Sequence, residues 1–117
     1  MEEKEESGKK PAEKHKWEGI KTRVSLKNAN KELIDAGRKI FKFVYRDEAG
    51  NSCEVYFDGN KRVNNVLEDG MIIVIFEPYT FSFGYVTVEQ HFFKTDEDFK
   101  NGVWEYGWDN CLNLKII

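Results

Sequence analysis

The residues able to do covalent or metal chemistry are few, and their spacing does not serve it. Cys53 and Cys111 lie far apart, as do His15 and His91, and none stands at the short separations of a zinc site. Asp96, Glu97 and Asp98 are consecutive, whereas a calcium loop sets its oxygen ligands at alternate positions. No Ser, Cys or His belongs to a recognisable nucleophilic set, and no motif marks a carboxylate pair for acid–base work. The expectation is a protein that is not an enzyme and uses no cofactor or metal. What remains is the chemistry of recognition, with Lys and Arg for anionic groups and aromatic rings for stacking.

Strands are needed to position those groups. Ile20, Thr22, Val24 and Leu26 alternate with Lys21, Arg23, Ser25 and Lys27, which describes a half-buried strand with a basic outer face. The polar stretch 28–38 reads as a long loop, with a helical turn possible around 31–36. From Lys39 to Arg46 the residues Phe41, Phe43 and Tyr45 share one face, and Lys42, Val44 and Arg46 the other. Asp47-Glu48-Ala49-Gly50-Asn51 is a hairpin turn, with Gly50 suited to positive φ. The next strand sets Cys53, Val55 and Phe57 inward and Glu54, Tyr56 and Asp58 outward. Lys61 to Leu67 reads as a short connector before the Asp69-Gly70 turn. Met71–Phe76 is apolar on both faces and therefore central.

Pro78 to Gly84 forms an aromatic loop, followed by a strand over 85–93. Thr95 to Asp98 can cap a short helical turn that stops at Gly102. Trp104, Tyr106 and Trp108, then Leu112, Leu114 and Ile116, make one or two closing strands, with a break expected at 107–110. The fold class expected is all-β: antiparallel strands near 18–27, 39–47, 51–58, 71–77 and 85–93 curled into a barrel, plus an extra C-terminal strand segment.

Composition sets the limits of this reading. The 117 residues make one domain, and a 40% hydrophobic content is enough for a modest core. Residues 1–16 hold both charges, Gly and Pro and almost nothing apolar, so a disordered tail is expected there, with the domain at 17–117. No apolar run has the length of a membrane span, so no membrane partner is expected. The two cysteines read as reduced thiols of an intracellular protein. The net charge is −3, yet residues 17–67 carry +3 and residues 68–117 carry −6. A basic face is thus compatible with an acidic total.

The order of these elements is that of an oligonucleotide-binding barrel, a five-stranded fold. KWEGIKTRVSLKNANK, RKIFKFVYRDEAGNSCEVYF and VLEDGMIIVIF resemble the single-stranded-DNA-binding barrels of the replication protein A large subunit and its telomeric relatives. The resemblance covers Trp17 to Phe76, roughly half of the chain, and ends at Pro78, where a Trp-rich, strand-like end stands in place of the family's closing helix. It implies a groove across the second and third strands, flanked by the first and fourth loops.

On that basis Lys21, Arg23, Lys27, Arg38, Lys39 and Lys42 would track phosphates. Tyr56 would stack as an outward ring, and Tyr79, Phe81 and Phe83 would flank the groove. The alternative for the last three is burial against Trp104 and Trp108. For Phe41, Phe43 and Tyr45 the core reading prevails over stacking, because all three share the inward face. The partner expected is single-stranded DNA in preference to RNA, together with subunits of a nucleic-acid-processing complex. The expected location is intracellular, nuclear in a eukaryote and otherwise cytoplasmic. The second class of function is a protein-interaction adaptor, favoured by the acidic second half and the Trp-rich end.

Overall fold

Alternation of apolar and polar residues is realised as strands almost throughout. The computed structural model describes residues 11–24, 26–27, 30, 33–34 and 39–117, with backbone alone at 27, 33, 34, 108, 110 and 111. Its strands are β1 (Ala12–Lys14), β2 (Ile20–Val24), β3 (Leu26–Lys27), β4 (Leu33–Ile34), β5 (Ile40–Arg46), β6 (Ser52–Phe57), β7 (Arg62–Val63), β8 (Asn65–Glu68), β9 (Met71–Phe76), β10 (Gly84–Phe93) and β11 (Tyr106–Ile116). A short helix, α1 (Asp96–Asn101), joins the last two. The chain is therefore all-β and barrel-like, with a strongly curled main sheet and a smaller second one.

The main sheet has the order β1-β11-β10-β5-β6-β7, the smaller one β2-β9-β8, and β3 pairs with β4. Between the two sheets lies the core. Phe41, Phe43 and Tyr45 of β5 face Val55 of β6 and Val86, Val88 and Phe92 of β10, and Ile72, Val74 and Phe76 of β9 close over them. Aromatic edges lock the layers together. Phe43 meets Phe92 edge-on at 5.6 Å, and Tyr45 meets Phe76 at 4.9 Å.

The turns follow their residues. Gly50 takes φ 95° in the β5–β6 hairpin, and Asp69 and Gly70 both take positive φ between β8 and β9, the pattern of a type I′ turn. Thr95 caps α1, its Oγ1 accepting the Asp98 N–H at 3.0 Å. Gly102 ends the helix at φ 71°.

Four local expectations change. Within the expected tail, Ala12–Lys14 adds to the main sheet as a parallel edge strand against Leu114–Ile116, and residues 1–10 lie outside the described residues. The connector 61–67 is instead β7 and the start of β8. Asn65 organises it, donating from Nδ2 to the carbonyls of Tyr56 at 3.0 Å and Val63 at 2.8 Å. β11 runs unbroken through 107–110, and its irregularity is a register shift opposite 85–87. Most consequentially, the first long strand, β2, pairs with β9 in the smaller sheet, so the basic residues expected to line one groove stand on two sheets.

Candidate binding surfaces

The outer face of the main sheet is a grid set by register. Val44 sits at its centre, with Glu54 of β6 on one side and Glu89 of β10 on the other. One row away Arg46 stands between Ser52 and Thr87, and on the opposite side Lys42 stands between Tyr56 and His91. The segment Thr95–Glu105 crosses this face as a strap, placing Phe99 and Trp104 over it. Between strap and sheet lies a cleft of about 360 Å³ lined by Lys42, Val44, Arg46, Glu54, Glu89, His91 and their neighbours.

Charges in the cleft are paired. Arg46 Nη1 donates to Glu89 Oε1 at 2.9 Å, and Glu89 Oε2 lies 2.8 Å from His91 Nε2. Hydrogen bonds from Arg46 and then His91 hold the Glu89 carboxyl below the usual carboxylate range. Lys42 Nζ lies 3.5 Å from Glu54 Oε2. Trp104 stacks on the imidazole at 4.1 Å between centroids, nearly parallel to it. Cys53, on the core-facing side of β6 and not in the cleft, is not poised as a nucleophile. Burial, and then the Glu54 carboxylate, push its thiol pKa up, which depletes the reactive thiolate. Among the described residues no three His, Cys, Asp or Glu side chains gather as metal ligands would.

A second surface forms where three loops meet. Asp47 is its hub. This buried carboxylate accepts from the N–H groups of Ala49 at 3.0 Å, Asn51 at 2.8 Å and Ser82 at 2.7 Å, and from Asn51 Nδ2 at 2.9 Å. The hairpin 47–51 is thereby pinned to the loop 77–83. Burial alone would raise the Asp47 pKa, but these hydrogen bonds outweigh it and hold the carboxyl below its ordinary range. The same loop is tied to the 15–19 turn, where Tyr79 N–H donates to the Lys16 carbonyl at 2.6 Å. Tyr79 takes φ 67°, a conformation costly for a residue with a Cβ. On this braced platform Tyr79 is 69% exposed, Phe83 59% and Trp17 54%.

The expected nucleic-acid contacts are dispersed by this arrangement. Lys21 and Arg23 are exposed on β2, in the smaller sheet, and do not share a face with Lys42 and Arg46. Lys27 lies on β3, and Arg38 lies outside the described residues. Lys39 is held by Glu105 at 3.5 Å, with its ammonium 5.4 Å from the Tyr106 ring centre. Tyr56 does face outward beside Lys42, but Phe99 of α1 packs against it at 5.4 Å. Phe81 is 2% exposed and sits edge-on against Phe76 at 5.0 Å, so it belongs to the core. Its burial is not against Trp104.

Glu89, His91, Trp104 and Asp47 were missed as organising residues. The i, i+2 spacing of Glu89 and His91 on an outward strand face was the available signal. No helix of the described residues is long and apolar enough to cross a membrane. Comparison with protein-family models, curated proteins and solved structures returns no match.

Proposed function

We propose that the chain is a non-catalytic interaction module, an adaptor that engages a partner protein through the braced aromatic end. One contrast carries this reading. Lys42 and Arg46 on the main sheet's outer face, and Lys39 just before β5, each hold a carboxylate within 3.5 Å. A phosphate backbone tracking them would bring its repeated negative charges against those carboxylates, at a cost in affinity. Trp17, Tyr79 and Phe83 instead present large rings on loops fixed by hydrogen bonds, which limits the ordering entropy a partner must overcome.

Photo-crosslinkers at 79 and 83, with one at Lys94 as control, test the proposal in cells of the source organism. One protein captured from both loop positions, absent from the control and lost when Trp17 is replaced by Ala, supports it. Equal capture at all three positions overturns it.

Single-stranded nucleic acid is the second reading. It rests on the resemblance of Trp17–Phe76 to single-stranded-DNA-binding barrels. Lys21 and Arg23 also favour it, because they are exposed and carry no ion pair among the described residues. Titration of intrinsic fluorescence with short DNA and RNA strands at two salt concentrations tests this. Binding that falls with salt, and whose salt slope flattens in the Arg23→Ala, Lys42→Ala double variant, would put this reading ahead of the adaptor.

A further inference from the structure

The cleft under the strap has a charge pattern unlike that of either macromolecular surface. Its floor is Val44, and its apolar wall is Trp104 with Phe99 and Phe93. Two cations and two carboxylates surround the floor, so the set is close to neutral. Lys42 and Arg46 lie two positions either side of Val44 on the same strand, while Glu54 and Glu89 are its cross-strand neighbours. A polyanion gains little from such a set, and a bare cation gains equally little. A molecule carrying both charged groups on one carbon satisfies both signs at once.

The existing bonds determine which groups are available. Glu89 has both oxygens engaged, by Arg46 and by His91. Arg46 gives Glu89 a single N–H and keeps the rest of its guanidinium fork. The Lys42–Glu54 separation of 3.5 Å is longer than a well-formed N–H···O bond, so that pair is loosely satisfied. A volume of about 360 Å³ stands at the small end of ligand sites.

From this we infer that the cleft binds a free α-amino acid with an apolar or aromatic side chain. Its carboxylate bridges Arg46 and Lys42, its ammonium meets Glu54, and its side chain lies along Val44 toward Trp104. The Glu89–His91 pair positions Arg46 for this contact and does not itself touch the ligand. This inference is independent of the adaptor reading, because the cleft is built by the sheet face and strap and not by the loops that meet at Asp47.

The test is a ¹H–¹⁵N NMR titration of the full chain with L-phenylalanine and L-leucine. 3-Phenylpropionate and 2-phenylethylamine each lack one charge and serve as controls. The expected result is saturable shifts at Val44, Glu54 and Trp104, with each control at least about tenfold weaker. Glu54→Gln and Arg46→Met, both at exposed positions, should each weaken binding by about tenfold or more while the rest of the spectrum stays folded. No saturable shift up to about 10 mM overturns the inference. So does equal binding of the single-charge controls, which would make the cleft an apolar slot. Should a variant lose its folded spectrum, the wild-type ranking of ligand against controls decides.

Discussion

Gly107 faces His91 across the ladder between β10 and β11, and the imidazole fills the space that a side chain at 107 would need. A Cβ there would fall 2.6 Å from His91 Nδ1 and 2.7 Å from the Gln90 carbonyl oxygen. The ring thus stacks on the indole of Trp104, with Nδ1 toward Gly107 and Nε2 beside Glu89 Oε2. Gly107→Ala should therefore destabilise the fold by about 1–3 kcal/mol, since either the backbone or the stacked pair must move. Thermal denaturation measures the loss. Trp fluorescence should change with it, because the indole loses its partner.

Asp47 ties the β5–β6 hairpin to the aromatic loop, and its removal should loosen both. Asp47→Ala leaves several N–H donors without their acceptor and should cost about 2–4 kcal/mol in chemical denaturation.

The same carboxylate makes stability depend on pH with a definite sign. Its folded pKa is held below the unfolded value of about 3.9, so the contribution is fully present above that value. It is lost as pH falls through the folded pKa. The melting-temperature gap between wild type and Asp47→Asn should be constant from neutral pH down to about pH 5 and shrink below about pH 4. A gap that stays constant through pH 3 would show that the carboxylate charge is not what the turn uses.

Tyr79 separates binding from stability. Its φ of 67° costs any residue with a Cβ, so Tyr79→Gly should stabilise the domain by about 1 kcal/mol or leave it unchanged. The same change removes the most exposed ring of the loop platform, and crosslinking from position 83 should fall. Denaturation and crosslinking on one variant check both outcomes.

Phe43 and Tyr56 test which way the main sheet faces. Phe43 is fully buried among Phe41, Tyr45 and Phe92, and Phe43→Ala should cost about 3–5 kcal/mol. Tyr56 points outward but under Phe99, and Tyr56→Ala should cost about 1–2 kcal/mol through the lost ring contact. If Phe99→Ala leaves stability unchanged, then α1 is not held by that contact.

Features encoded by neighbours in the chain were legible in the sequence. Strict alternation put Phe41, Phe43 and Tyr45 inside and Lys42 outside, because side chains in a strand face opposite sides at a period of two. Gly50, the Asp69-Gly70 pair and the Thr95 cap were equally local, each set by the φ or hydrogen bond its residue type permits. Alternation does not name a strand's partner. It made β2 a basic strand, but only the pairing of β2 with β9 decided that Lys21 and Arg23 stand on a different sheet from Lys42 and Arg46.

Electrostatic and aromatic partners were hidden for the same reason. Arg46 finds Glu89 from 43 residues away, and Ser82 reaches Asp47 across 35. Phe81 and Phe83 have the same residue type and the same loop, yet Phe81 packs against Phe76 in the core and Phe83 is exposed. Alternation turns Tyr56 outward, and only the docking of α1 decides that it is covered. From local order the sequence determined strand faces and turns. Tertiary structure alone decided which faces adjoin and which charges neutralise one another, since those contacts join residues that chain order keeps far apart.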